Sequence, residues 1–332
     1  MKDLFTTLDG EVWDRNELVE KAIEDKFYYG YLSKACLSSS AISQLLKSPR
    51  EYKKQDDLPT ESDALAQGYL FHASILEEDK FNECLFLDVK TKANKEYKLA
   101  KAERWDVFTI RDRDKALQMR DRFYNCPDAR DLIADCDFEV PQINYLMDYP
   151  FRAKADALGS LLIDLKSTSD LNKFKYSAKA YNYDSQCFIY CNLFGKSYKD
   201  FRYITIDKTP TNEIGIFDVS EDFYYSGEQK VEMAINVYER YIKNDFDLND
   251  YLVIETLWKM VYLDKDACYE DTLLCLQTHT TTLTDVVIIL QHYEEQEEYE
   301  CCSGILKAIN EYKSSLRVLE YRDWKHRILY WV

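Results

Sequence analysis

The sequence predicts a mixed α/β fold, in which a central mixed β-sheet is flanked by helices. Helical spacing of apolar residues dominates the first third of the chain, and from Asp137 onward the pattern changes to strand-like alternation. Strand-like and helix-like segments then interleave, which is typical of a sheet with helices packed on it. We therefore predict a core over residues 37–243, an N-terminal helical arm over 1–36 and a helical C-terminal extension over 244–332.

The helices before the core strands are predicted from caps and spacing. Leu37 to Leu46 opens with serines, which are good helix caps, and its apolar residues share one face until Ser48-Pro49 ends the helix. The polar segment Lys90–Trp105 is predicted to be a mobile connector. Further helices are predicted at Glu11–Lys26, Thr60–Leu76 and Asp112–Asn125.

The core itself is predicted to hold five strands and two helices. The first three strands form a meander, with a bend at Pro141 and a turn at Asp148–Pro150. The predicted strands are Asp137–Met147, Phe151–Leu158, Leu161–Lys166, Phe201–Asp207 and Glu213–Val219. The predicted helices are Phe174–Phe194 and Glu221–Ile242, followed in the extension by Asp271–Gln296 and Ser303–Arg322.

Composition limits the possible functions. The chain has 332 residues and a formal net charge of −17, which counts against a nucleic-acid ligand because such proteins usually present a basic surface. The charge is uneven, however: Lys90–Lys101 holds five lysines and one acid. This run is either a solvated helix face or the edge of a binding site, where the lysines contact successive phosphates. No apolar run is long enough to span a membrane, and no secretion signal is expected.

The ten cysteines are expected to be reduced, as in a cytoplasmic protein. None forms a Cys-x-x-Cys pair, so their spacing supports neither a zinc site nor an iron–sulfur cluster.

One constellation of charges carries most of the functional information. Asp164 and Lys166 are two residues apart on a predicted strand and therefore project from the same face. Asp156 can meet them across the preceding hairpin. Burying such charges costs several kcal/mol unless they are paired or bind a metal. The arrangement suits a divalent cation held beside a phosphodiester; the alternative is a surface hairpin with an incidental salt bridge.

The chain resembles the PD-(D/E)XK nucleases, and among them the RecE and lambda-type exonucleases of phage recombination. The resemblance covers roughly residues 35–240, with its motifs in the family's order. The sequence departs from the pattern at Lys154-Ala155, where relatives often have Arg-Pro, and the C-terminal extension matches none of it. The matching pieces are Leu37–Pro49, Gly68–His72, Glu139, Arg152–Asp156, Ile163–Thr168 and Gln186–Tyr190.

The resemblance implies a restriction-endonuclease-like core and a metal-dependent exodeoxyribonuclease. Such an enzyme uses Mg²⁺ or Mn²⁺ to hydrolyse double-stranded DNA ends, here expected 5′ to 3′, and leaves a single strand for an annealing protein. Relatives close into rings, so a ring-like trimer or tetramer is expected, acting in a bacterial or phage-infected host cytoplasm.

The resemblance also implies roles for individual residues. It implies metal ligation by His72, Asp156, Asp164 and the backbone carbonyl of Leu165. It implies catalytic roles for Asp156, Asp164, Lys166, Glu139, Gln186 and Tyr190. It implies DNA contacts by Ser38, Ser39, Ser40, Arg152, Lys154 and Thr168.

Each of these residues also has a simpler explanation. His72 could be an ordinary core or surface histidine, and Glu139 an ordinary charge on an edge strand. Gln186 and Tyr190, four apart on one helix face, could be a satisfied polar pair. The serines could only cap a helix. For the whole chain, the acidic charge and the unmatched extension motivate a second hypothesis, a catalytically silent nuclease-fold protein that binds or regulates a recombination or replication partner.

Overall fold

The computed structural model describes residues 3–54, 63–252, 265–278, 281–295 and 298–328. The chain divides into two compact units, Met1–Tyr251 and Leu252–Val332. No helix in the described ranges is both long enough and apolar enough to cross a bilayer.

The first unit contains the strands and most of the helices. Its strands are β1 (Leu4–Thr6), β2 (Val12–Asp14), β3 (Leu85–Leu87), β4 (Val107–Thr109), β5 (Asp137–Leu146), β6 (Tyr149–Leu158), β7 (Leu162–Thr168), β8 (Phe201–Asp207) and β9 (Ile214–Asp218). Its helices are α1 (Arg15–Lys21), α2 (Leu32–Ala35), α3 (Ser39–Lys47), α4 (Pro49–Lys53), α5 (Asp63–Leu76), α6 (Glu78–Glu83), α7 (Lys95–Glu103), α8 (Ile110–Tyr124), α9 (Pro127–Ile133), α10 (Phe174–Ala180), α11 (Tyr183–Phe194) and α12 (Glu221–Tyr238).

The central sheet has the strand order β5-β6-β7-β8-β9. Only the β7–β8 pair is parallel, and the other neighbours are antiparallel. One face of the sheet packs in a core with α3, α10, α11 and α12, and the other packs with α5, α8 and α9. The predicted mixed α/β fold is confirmed. Two small sheets, β1–β2 and β3–β4, were not predicted.

The β5–β6 hairpin turns at Met147 and Asp148, which have φ angles of 50° and 63°. Two successive positive φ angles characterise the tight turns that suit the twist of paired strands. The predicted turn at Asp148–Pro150 is therefore placed too late in the chain, because Tyr149 and Pro150 already belong to β6.

Three predicted elements differ from the structure. The predicted helix Glu11–Lys26 is instead β2 followed by the short helix α1. The predicted connector Lys90–Trp105 contains α7, which the Asn94 side chain caps at the Glu96 N–H. The predicted helix Phe174–Phe194 is broken by Asn182, whose φ of 56° is a left-handed conformation that asparagine tolerates.

The second unit is helical, as the sequence predicted. Its helices are α13 (Lys265–Gln277), α14 (Leu283–Glu295) and α15 (Tyr299–Ile328). The single helix predicted over Asp271–Gln296 is two helices, because Thr282 and Asp285 exchange side-chain and backbone hydrogen bonds that start α14. The predicted domain boundaries, after residues 36 and 243, stay a prediction.

Candidate active site

The strands β6 and β7 part at the predicted acidic pair. Their ladder consists of Ala157 opposite Ile163 and Leu158 opposite Leu162. The next pair in this register would be Asp156 opposite Asp164, but there the ladder ends. Instead, the Leu165 N–H donates a 2.6 Å hydrogen bond to Asp156 Oδ2. The sheet therefore opens where the sequence places its two acids.

Asp164 and Lys166 contact each other on one face of β7, as their two-residue spacing predicted. The Asp164 side chain is 2% exposed; it forms an ion pair with Lys166, and Gln186 Nε2 donates to its Oδ1 at 2.6 Å. Burial alone would lower the pKa of Lys166, but the carboxylates of Asp164 and Asp156 raise it above its usual value. The Lys166 ammonium is therefore held in place and held charged.

The helix α11 supplies the next layer of contacts. Gln186 and Tyr190 share a face of this helix, and burial raises the pKa of Tyr190 well above its usual value. One turn earlier, the centre of the Tyr183 ring lies 4.9 Å from Lys166 Nζ. On α11, Gln186 and Tyr183 thus contact the Asp164–Lys166 pair directly.

His72 approaches from the opposite side of the sheet, on α5. Its Nδ1 lies 3.5 Å from Asp156 Oδ2. The helix comes close to β7 at Gly68, where an added methyl group would lie 3.6 Å from Ser167 Oγ, and His72 follows one turn later. Burial lowers the pKa of His72, which favours the neutral imidazole that metals bind.

Glu139 lies opposite Asp156, because β5 and β6 pair Phe138 with Ala157 and Val140 with Ala155. Its φ of 52° is left-handed, which costs roughly 1–3 kcal/mol for a residue that is not glycine. The irregularity of β5 is therefore at Glu139, while Pro141, the predicted bend, pairs in register with Lys154. Burial and the Asp156 carboxylate raise the pKa of Glu139 to about 7.

His72, Glu139 and Asp156 form a group of possible metal ligands. One ligand atom from each lies within 4.8 Å of the others. Burial, followed by the charge of Asp164, raises the pKa of Asp156 to about 8. A bound cation would favour the ionised form of this carboxylate and so stabilise the cluster. The two carboxylates suit Mg²⁺ or Mn²⁺ and the imidazole suits a first-row transition metal, so the residues fit a divalent metal.

Two other predicted metal ligands, Asp164 and the Leu165 carbonyl, lie outside this group of three side chains. In the described part of the chain Asp164 is not a member of it, since its two oxygens face Lys166 and Gln186. The Leu165 N–H points to Asp156, and the N–H and C=O of one strand residue point to the same neighbour. The Leu165 carbonyl therefore faces the same opening between β6 and β7.

The residues predicted to contact DNA surround the site unequally. Ser38 caps α3 by accepting from the Ala41 N–H, and the Ser38 and Ser40 hydroxyls are 2.9 Å apart. All three serines and Thr168 line the large cavity on which the site opens. A helix N-terminus is a favourable place for an anion.

Arg152 and Lys154 also line the cavity, but they are nearly buried and have partners inside the protein. Arg152 Nη1 donates to the Tyr28 carbonyl at 2.7 Å. Lys154 Nζ lies 2.8 Å from Asp25 Oδ1 and 3.6 Å from Glu139 Oε2. Their shared strand face was correctly predicted, but Arg152 Nη1 and Lys154 Nζ are directed toward the protein's own groups.

The sequence reasoning missed one wall of the site. Asp25 forms ion pairs with both Lys154 and Lys80, and Lys80 Nζ lies 2.5 Å from Glu77 Oε1. No local pattern marks Asp25, which comes from the N-terminal segment. Glu77 immediately follows α5, five residues after His72, and this proximity was the one available signal.

These residues surround a cavity of about 1600 Å³. Its lining carries six Lys or Arg side chains against four Asp or Glu, together with eight aromatic side chains. The cavity is thus richer in cations than in acids, in a chain whose net charge is −17. The overall charge is a poor guide to the field that a ligand meets here.

Comparisons with known proteins bear on the fold and the family of the chain. A solved structure from Eubacterium rectale, described as a "putative exonuclease", superposes with a TM-score of 0.52 at 14% identity, covering 71% of this chain and 96% of that one. At that identity the likeness shows the fold alone. A search of curated proteins found no match. The family model of a PDDEXK-like domain of unknown function, DUF3799, matches residues 38–247, a span that contains Asp156, Asp164 and Lys166. The chain therefore belongs to this family of PDDEXK-like domains, whose fold is that of the PD-(D/E)XK nucleases.

Proposed function

We propose that the protein is a metal-dependent DNA exonuclease that hydrolyses phosphodiester bonds at the ends of double-stranded DNA. One observation carries the proposal: Lys166, which is bonded to Asp164 and through it to Gln186, lines the same cavity as the His72–Glu139–Asp156 group. A silent scaffold has no need to bury so many charges together, since each unpaired one costs several kcal/mol.

The metal would be held by His72, Glu139 and Asp156, with the Leu165 carbonyl facing the same opening. When bound, a divalent cation neutralises phosphate charge and lowers the pKa of a water molecule. Asp156 is the central ligand, because it contacts both His72 and the backbone of β7.

Lys166 acts on the phosphate. Its raised pKa favours a permanent ammonium, which stabilises negative charge developing on phosphate oxygens, over a role as proton acceptor. Asp164 and Gln186 orient it, and Asp164 is thereby a positioning residue for Lys166. The serines at the start of α3 offer hydroxyls and N–H groups to a neighbouring phosphate.

Finer aspects of the function rest on the resemblance to phage recombination exonucleases. They are 5′ to 3′ polarity, use of Mg²⁺, delivery of a single strand to an annealing protein, and assembly into a ring. Lys26, Lys173 and Lys208, which line the cavity beside the site, support DNA as the substrate. The silent binding protein remains the second candidate, motivated by the net charge of −17 and the unmatched C-terminal extension, and the same experiment separates the two.

The test is digestion of end-labelled linear duplex, either 5′-phosphorylated or not, with Mg²⁺ or Mn²⁺. The wild-type protein should shorten linear duplex and leave closed circles intact. Lys166→Ala should lose at least about 100-fold in rate, because charge stabilisation of this kind contributes that much. Lys199→Ala, at an exposed lysine outside the cavity, is the control. Wild-type protein inert on every duplex, or Lys166→Ala as active as the control, contradicts the proposal.

A further inference from the structure

The cavity holds the most exposed aromatic side chains of the first unit. Among its described residues, three aromatic side chains are at least 60% exposed: Tyr29 at 60%, Trp105 at 62% and Tyr181 at 66%. All three line the cavity that contains the metal-ligand group. Large exposed apolar surfaces that cluster around a polar site usually mark a binding surface.

Each exposed ring is supported by a second aromatic ring. Tyr29 packs on Tyr28 at 5.0 Å between centroids, and Trp105 packs on Tyr69 at 5.1 Å. Such support restrains a ring, so little conformational entropy is lost when a ligand stacks on it.

Tyr181 is supported in the same way, and its support leads to the reacting groups. Its ring centroid lies 5.9 Å from that of Tyr183, which in turn lies 4.9 Å from Lys166 Nζ. A group stacked on Tyr181 is therefore close to the ammonium proposed to act on phosphate.

The charges around the rings indicate what they bind. Lys26, Lys173 and Lys208 line the same cavity, as does the serine-capped start of α3. Exposed rings interleaved with cations are the pattern of sites for single-stranded nucleic acid, in which bases stack on rings and phosphates follow the cations. An intact duplex hides the faces of its bases, so only unpaired nucleotides can use such rings.

We propose that Tyr29, Trp105 and Tyr181, named here the stacking rim, bind the unpaired bases of a DNA strand end entering the cavity. The inference rests on the proposed function for the nature of the ligand. It adds that the site takes a frayed or single-stranded end, and that the rim sets this preference.

Binding can be measured apart from hydrolysis. Fluorescence anisotropy of a short fluorescein-labelled oligothymidine is recorded with the full chain in EDTA, and compared with a blunt duplex and a duplex with an unpaired end. Trp105→Leu and Tyr181→Leu should each weaken oligothymidine binding about tenfold, since one base–ring stack is worth that much. Trp105→Phe should restore most of it.

Tyr225→Leu is the matched control, because Tyr225 is 48% exposed in the same unit and does not line the cavity. The unpaired-end duplex should bind more tightly than the blunt one. Equal affinities for these two duplexes, or rim variants that bind like the control, overturn the inference. If the rim variants lose binding while wild-type protein hydrolyses nothing with Mg²⁺ or Mn²⁺, the rim stands and the exonuclease proposal fails.

Discussion

Asp156 accepts a hydrogen bond from the Leu165 N–H at the point where β6 and β7 stop pairing. The carboxylate thereby replaces a backbone carbonyl in the ladder and holds the two strands at a fixed separation. The same Oδ2 atom lies 3.5 Å from His72 Nδ1. Asp156 thus couples the opening of the sheet to the metal-ligand group.

Metal uptake should depend on Asp156. Titration of Mn²⁺ into the metal-free protein, followed by calorimetry, should give a binding heat that Asp156→Asn removes. His72→Ala should weaken the affinity, since it removes one donor of the same group. Asp164→Asn distinguishes a positioning role for Lys166 from metal ligation. We expect this variant to retain the heat of Mn²⁺ binding and to lose hydrolysis, because Asp164 positions Lys166. Unchanged heat in Asp156→Asn is incompatible with the site.

The stability of the metal-free protein should fall as the pH rises above neutrality. The folded pKa values of Asp156 and Glu139, about 8 and about 7, lie above the unfolded values of about 4. Each group then binds more protons when folded, and stability present below about pH 4 is lost as the pH rises to about 8. Burial of His72 acts oppositely, but only below about pH 6.5.

The measurement is the midpoint of thermal unfolding in EDTA between about pH 6.5 and pH 8.5, a range that includes the folded pKa values of both carboxyl groups. Asp156→Asn should flatten the decline, and Mn²⁺ should restore stability most strongly at the alkaline end, where the ligands are ionised. A midpoint that rises through this range in EDTA contradicts the prediction.

Asp25 should influence the metal site without touching it. It is the closer partner of Lys154, whose other neighbour is Glu139. In Asp25→Asn the ammonium should move toward Glu139 and compete with a metal for that carboxylate. Mn²⁺ affinity should fall about tenfold, as for other residues that support a ligand. Glu24→Gln, a neutralisation at the adjacent exposed position, should bind Mn²⁺ like the wild type.

Gly227 should be needed to seat α11. A methyl group at Gly227 would lie 2.1 Å from the Asp184 carbonyl oxygen, so α12 would have to move away from the start of α11. Gly227→Ala should destabilise the protein by about 1–3 kcal/mol, as overpacking does. It should also slow hydrolysis by displacing Gln186. Gly30→Ala, where nothing lies within 4 Å of the added group, is the control, and equal unfolding midpoints for the two variants refute this account.

The core of the fold was predictable because its signals are local. Strand β8 was predicted with its observed bounds, and Ser38 caps α3 as its position before an apolar stripe indicated. The misses have local causes too small to read from one sequence. Asn182 interrupts a continuous helical pattern with a single left-handed residue. The helix α7 lies in a segment whose polar composition gave no helical signal.

The sequence by itself determined that an acid and a lysine share a face of β7, because side chains alternate along any strand, and that helices cover a mixed sheet. Only the tertiary structure decided how the carboxylates are grouped: Asp164 contacts Lys166 and Gln186, whereas Glu139 and Asp156 lie together with His72. It also brought Asp25 and the exposed rings to the same cavity. The reason is that backbone pattern depends on near neighbours in the chain, whereas the state of a buried charge depends on whichever groups surround it in space.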